Sequence, residues 1–238
     1  MSRLIAIALF FVTALPLHAG SGQVVLLAVT ADGWRLGELE ARYLETGKSY
    51  DVRLLGAATG LWGFFLQATY DGHGAGRIAK GGPPVPDFFE AKSHRIFKTR
   101  HQRVDFTGGQ PVKVFVDPAR DRTALSDPLL VTDTRIDPLS YLGVFLQDRE
   151  SGCPPPGELY DGRRETRVVF NPVTSGDGDI VCEGVYEIIK GPDHSIRKGF
   201  RQFGVRLVYR RVANAGLARL DQVDFRSGRN TIVLQRLN

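Results

Sequence analysis

Along most of this chain apolar and polar residues alternate one for one, the side-chain repeat of a β-strand with one buried face. Tyr50, Val52 and Leu54 alternate with Asp51 and Arg53. Ile180, Cys182, Tyr186 and Ile188 alternate with Glu183 and Glu187, and Phe203, Val205, Leu207 and Tyr209 with Gly204, Arg206 and Arg210. Glycine-bearing turns separate the runs, at Asp32-Gly33, Gly47-Lys48, Gly108-Gly109, Ser175–Gly178 and Ser227-Gly228. Counting runs between turns predicts about ten or eleven strands. Short joins favour antiparallel neighbours, and a sheet that wide curls. The expected fold is mainly β: an antiparallel meander curled into a barrel or half-barrel, with one short helix packed on it.

That helix is predicted from Asp137-Pro138-Leu139-Ser140 through Leu146. Asp137 can cap the first free N–H groups, and Pro138 suits the first helical position, where an N–H would be unbonded anyway. Leu139, Leu142, Phe145 and Leu146 share a face, which suits a plug against the curved sheet. Lys80–Pro86 is expected to be loop, because its prolines remove donors that a central strand needs. Residues 117–134 are expected to connect strands within one domain.

The N-terminus predicts export. Met1-Ser2-Arg3 precedes an almost unbroken apolar run, Leu4–Leu15, and a small-residue exit follows at Ala19-Gly20. A cation, an apolar stretch and a small cleavage site in that order form a secretory signal peptide, here over 1–19. The run is shorter than the ~20 residues that span a bilayer, and no later run approaches that length, so no stable membrane span is expected. No cysteine follows the cleavage region to carry a lipid. Residues 20–238 are then read as a single β domain. In an oxidising compartment the two cysteines, Cys153 and Cys182, are expected to pair. They lack C-x-x-C spacing and a neighbouring histidine, and the alternation turns Cys182 inward.

Charge is mildly basic, a formal +5, but unevenly spread. Lys92–Arg103 and Arg197–Arg219 are rich in Lys and Arg and contain no acid. Arg206 and Arg210 fall opposite the apolar face of their strand and are the candidate contacts to an anionic surface such as lipid. Nucleic acid is a poor partner for an exported chain without a helix-based or zinc-based reading motif.

Motifs for chemistry are sparse. His73, His94, His101 and His194 form no metal-binding spacing, and on one regular strand His94 and His101 would face opposite ways. Gly72-His73-Gly74-Ala75-Gly76 is not followed by an amphipathic helix, so turn or strand-end glycines fit better than a phosphate loop. Asp177-Gly178-Asp179 lacks the further acids of a calcium loop. No G-x-S-x-G occurs. Neither a cofactor nor a metal is expected, and no catalytic residue is named.

Asp137-Pro138-Leu139-Ser140, Cys153, Tyr160-Asp161-Gly162-Arg163-Arg164 and Cys182 in Cys-x-Gly-x-Tyr together resemble the exported proteins grouped as domain of unknown function 3108. The specific part of the resemblance lies in residues 137–186. It implies a periplasmic protein with the curved β-sheet of lipoprotein carriers, and it assigns no catalytic residues. Asp161-Gly162 also stands by itself as a turn signal, with Arg163 and Arg164 leading into the next strand and a scaffold role for the block. The expected function is a non-enzymatic periplasmic binding or assembly factor for the cell envelope, holding a lipid or other apolar ligand and touching an envelope protein or anionic lipid. A hydrolase of envelope glycans or lipids is the competing class.

Overall fold

The computed structural model describes residues 21–78, 82–173, 178–192, 201–213 and 215–238. The expected signal peptide, Asp177 and His194 lie outside them. The strands are β1 (Ser21–Ala31), β2 (Trp34–Thr46), β3 (Ser49–Ala58), β4 (Thr69–Ile78), β5 (Pro84–Arg95), β6 (Lys98–Thr107) and β7 (Gln110–Asp117). They continue with β8 (Gly157–Tyr160), β9 (Glu165–Val173), β10 (Ile180–Lys190), β11 (Gln202–Arg211), β12 (Ala218–Ser227) and β13 (Asn230–Arg236). All belong to one antiparallel sheet in the order β7-β6-β5-β4-β3-β2-β1-β13-β12-β11-β10-β9-β8. The meander expected from the alternation is therefore the fold, with more strands than expected.

The inner face carries Val25, Ala41, Tyr50, Val52, Phe89, Val104, Val168, Cys182, Leu207 and Tyr209, all under 9 % exposed. Against it packs α2 (Pro138–Leu146), with Leu139, Tyr141, Val144 and Leu146 buried. This is the expected helix, and it fills the concavity as a plug. A second helix, α1 (Gly60–Leu66), joins β3 to β4 at one end of the sheet. Its N-terminus is held by Thr59, whose N–H donates to the Leu36 carbonyl at 3.0 Å.

The sheet stays open, because its terminal strands β7 and β8 do not pair. Residues 118–136 fill the seam. Ile136 forms a parallel bridge with Leu159 of β8, donating to Glu158 O at 3.1 Å and accepting from Tyr160 N at 3.0 Å. Arg135 N donates to Gly109 O in the β6–β7 turn at 2.8 Å. One short segment thus bonds to both ends of the sheet and satisfies the exposed edge of β8.

Two strands overturn the local expectations. Pro84, Val85 and Pro86 open β5 rather than forming a loop. They pair only with β4, across a register shift at Ala75/Gly76, while pairing with β6 begins at Phe88. At the prolines the strand is locally an edge, where a missing N–H costs nothing. Gly72, Gly74 and Gly76 are not turn glycines either; they occupy the middle of β4, all on its inner face and all buried.

Candidate functional site

The glycines of β4 form the seat of α2. A Cβ on Gly74 would lie 3.1 Å from Asp137 Oδ1 and 3.3 Å from Leu139 Cβ. The first helical turn therefore rests directly on the sheet backbone. Asp137 is fully buried and caps the helix: Oδ1 accepts from Leu139 N at 2.9 Å and Ser140 N at 3.0 Å. Ser140 Oγ donates to Oδ2, and Tyr50 Oη lies 2.6 Å from Ser140 Oγ. On the helix itself Gly143 permits equal closeness, since a Cβ there would sit 2.9 Å from the Tyr43 ring.

Burial raises the Asp137 carboxyl to about 6, against the opposing pull of Ser140 and the two backbone donors. Because the folded value lies above the unfolded one, the native state holds the extra proton between them. The associated stability is complete below about pH 4 and is lost as pH rises past about 6. Asp137→Asn keeps the acceptor for both N–H groups and removes the titration. The difference in unfolding free energy between wild type and Asp137→Asn is expected to move against wild type by about 3 kcal/mol from pH 4 to pH 8. Parallel urea titrations check this; a constant difference would show the carboxylate to be neutralised by its donors.

Asp161-Gly162-Arg163-Arg164 lies at the seam. Asp161 Oδ1 accepts from Arg163 N and Arg164 N, each at 2.8 Å, and Oδ2 takes the Arg164 guanidinium in two bonds of 2.9 and 2.8 Å. Gly162 has φ 86°, and a Cβ there would come 3.0 Å from Val104 and 3.2 Å from Val114, on strands from the far end of the sheet. Arg163 Nε donates to Asp121 O at 2.8 Å, and the Asp121 carboxylate binds Arg100 and Lys98 of β6. The turn is a lock across the opening, which supports its reading as scaffold. Arg135 extends the lock, pairing with buried Glu165 at 3.3 Å. Neither Asp121 nor Arg135 was marked by sequence; each sits in the irregular 118–136 connection, which carries no periodic signal.

Cys153 and Cys182 are disulfide-bonded, with Cα atoms 5.7 Å apart. The bridge ties the segment after α2 to the inner face of β10. The same segment is held to β12 by paired backbone bonds between Arg149 and Ala218, and to β12 and β1 by Asp148, which accepts from Arg219 at 2.8 Å and Gln23 at 3.2 Å.

The acid-free stripes acquire acids from their neighbours. Arg206 faces away from the core as expected, but Glu183 of β10 lies 4.0 Å and Asp224 of β12 3.6 Å from its guanidinium. Arg210 donates to Asp221 at 2.7 Å. In the other stripe Glu90 takes Lys92, His101 and Arg103, and Asp121 takes Lys98 and Arg100. The outer face around Glu90, Arg206 and Arg210 is of mixed charge, while Lys98 and Arg100 share the inner-face parity of Val104 and Phe106 and belong to the seam. His94 and His101 share the outer face, contrary to the parity expected of one strand, because the turn after Arg95 places them on paired strands β5 and β6. His94 meets Thr99 at 3.0 Å, and among the described residues no three His, Cys, Asp or Glu gather as a metal site.

A site with ligand-binding geometry lies beside the helix. A cavity of about 430 Å³ opens next to the contact of α2 with β2 and β3 and is walled by Tyr43, Tyr50, Ile78, Tyr141, Val144 and Pro83–Pro84, with Pro155 and Pro156 also lining it. Its polar groups are few and convergent. Tyr43 Oη donates to Glu45 at 2.9 Å and accepts from Gln147 at 3.1 Å, and burial pushes its phenol up to about 12. Arg149 reaches the same cavity; its Nη2 donates to the Val144 carbonyl and its guanidinium lies over the Tyr209 ring at 5.2 Å. Arg149 and Tyr209 meet behind the cavity wall: Arg149 Nε and Tyr209 Oη are both buried, and the pull of Arg149 opposes the burial that raises the Tyr209 phenol. A mostly apolar cavity with one cation in its lining suits a small molecule with an apolar body and an anionic or acceptor end.

No family model, curated protein or solved structure matches this chain. Among the described residues no helix is long and apolar enough to cross a membrane.

Proposed function

We propose that this chain is a periplasmic, non-enzymatic binding factor of the cell envelope, taking a small apolar ligand with an anionic or acceptor end into the cavity beside α2. The observation that carries the reading is a mostly apolar cavity with three tyrosine walls and the Arg149 cation in its lining. A volume of 430 Å³ lies toward the low end of the ~300–1,000 Å³ typical of ligand sites, which favours one narrow apolar chain or ring over a multi-chain lipid. The export signal expected at 1–19, the disulfide and the resemblance of residues 137–186 to domain of unknown function 3108 support the compartment. For a hydrolase the nearest candidate is Ser140, whose hydroxyl donates to Asp137. It is 2 % exposed, and the three described histidines lie on the outer face of the sheet. Binding therefore has the better support.

Native mass spectrometry of protein taken from the periplasm is expected to find a co-purifying small molecule. Displacement of a fluorescent fatty acid is expected to weaken about tenfold on Arg149→Met, the loss of a charge-assisted hydrogen bond, and to fail on Ile78→Trp, which fills the cavity. Arg149→Lys keeps the charge and separates binding from packing on Tyr209. Absence of the protein from the periplasm, or affinity unchanged in both Arg149→Met and Ile78→Trp, would overturn the proposal.

A further inference from the structure

Four turns that neighbour one another at one end of the sheet carry exposed apolar residues. In sheet order they follow β12, β1, β3 and β5. Ile232, just beyond the first turn, is 42 % exposed; Trp34 in the second is 70 % exposed; Trp62 on α1 is 39 % exposed; and Phe97 in the fourth is 99 % exposed. Register places them side by side: Ala31 pairs with both Trp34 and Ile232, Gly37 pairs with Ala58 just before α1, and Thr69 just after α1 pairs with His94 just before the Phe97 turn. Among the described residues, turns at the opposite end are different in kind. Gly47-Lys48, Gly108-Gly109 and Ala215-Gly216 carry no aromatic residue.

The Phe97 turn is the most informative of the four. Two-residue hairpin turns favour Asn and Gly because the backbone must turn left-handed. Here the pair is Ile96-Phe97, and Phe97 takes φ 59°, a costly conformation for a bulky residue. Water offers no compensation for an exposed phenyl ring held that way. The apolar pair is bracketed by cations, Arg95 and Lys98, and Arg226 and Arg229 flank the β12–β13 turn. Among the described residues Arg95 and Arg229 are exposed and enter no ion pair. Acid in these four tips is confined to Asp32, which is occupied in accepting from Thr231 N at 3.0 Å. Aromatic tips ringed by arginine and lysine are complementary to the interface of an anionic bilayer, where Trp sits among headgroups, Phe buries at the acyl boundary and each cation adds attraction to the charged surface.

We propose that this end of the sheet docks on an anionic phospholipid surface, with Phe97 entering the interface and Trp34 and Trp62 lying at headgroup level. The proposal is independent of the ligand cavity, which lies beside α2 and is tested without membranes. A shallow, mostly apolar groove of about 260 Å³, lined by Val29, Leu36, Leu39, Ala58, Ala68 and Tyr70, lies beside the two residues that flank the α1 connection.

The chain beginning at Gly20 retains every described element and avoids the apolar run at 4–15. The test is flotation of that protein with vesicles of equal parts phosphatidylcholine and phosphatidylglycerol, against vesicles of phosphatidylcholine alone. Trp34 and Trp62 are the chain's two tryptophans, so intrinsic emission reports directly on the surface in question. Binding to the anionic vesicles with a blue shift is expected, weakening with salt. Phe97→Gly is expected to weaken partitioning about tenfold while leaving the urea midpoint equal or higher, since glycine adopts φ 59° freely. Arg95→Gln and Arg229→Gln are each expected to weaken it about fivefold. No flotation with anionic vesicles, equal binding to phosphatidylcholine alone, or binding indifferent to Phe97→Gly would overturn the proposal, the first pointing to a protein partner instead.

Discussion

Replacing Cys153 and Cys182 together by alanine is expected to lower the unfolding free energy by about 3–4 kcal/mol, the chain-entropy value for a bridge closing a loop of this length. The two residues are 29 positions apart, so the bridge constrains the unfolded chain over all of β8, β9 and the turn to β10. In the folded state it also anchors the segment after α2, which is otherwise held through the Arg149–Ala218 backbone bonds, the Asp148–Arg219 pair and Arg211, which donates to Glu150 O. Loss of the bridge should therefore loosen the plug before the sheet. Urea unfolding should show a lower midpoint, and hydrogen exchange should show the first loss of protection in α2 and 147–156. Thiol labelling of the denatured, unreduced wild-type protein should find no free cysteine. Free thiols in freshly exported protein, or equal midpoints for wild type and the double alanine variant, would sink the argument.

What was legible in the sequence follows a physical pattern. Strands such as β10 and β11 alternate cleanly because one face meets the core and the other meets water. The inward Cys182 and the outward Arg206 are therefore legible in the alternation itself. The start of α2 was equally plain, because Asp137 and Pro138 answer a local need for donors and dihedral angle. Long-range relations were hidden. The acids that occupy Arg206 and Arg210 come from β10 and β12, and a linear window cannot see across strands. The turn between β5 and β6 was missed because Ile96-Phe97 is the wrong chemistry for a turn in water. That single omission reversed the relation of His94 to His101. The cavity beside α2 was invisible for the same reason, since Tyr43, Ile78, Tyr141 and Arg149 converge only after the sheet curls.

The glycines of β4 were the deepest misreading, and they carry the other large expected effect. Gly76→Ala is expected to destabilise by about 3 kcal/mol or more, at the upper end for overpacking. A Cβ at Gly76 would lie 2.3 Å from Val85 O, 2.7 Å from Tyr50 Oη and 2.8 Å from Pro86 Cα. Two of those atoms are backbone, held by the register shift that lets prolines enter β5, so the strand cannot yield without losing its pairing. The third belongs to the Tyr50–Ser140–Asp137 network that caps α2. Gly72→Ala meets mainly the far end of Tyr70, at 2.7 Å, and Leu139 Cδ1 at 3.0 Å; both are side chains that can rotate, so a cost of about 1–2 kcal/mol is expected. The ranking matters more than either value. If β4 served only as a strand, both substitutions would help slightly, because alanine loses less backbone entropy on folding than glycine. Because Gly76→Ala must displace the backbone of β5 and Gly72→Ala only side chains, the strand must tolerate Gly72→Ala better. Urea midpoints set the order, and near-ultraviolet circular dichroism separates a displaced helix from a lost fold. Equal midpoints for both variants, or a gain in either, would show that these close contacts yield and do not set the need for glycine at Gly72 and Gly76.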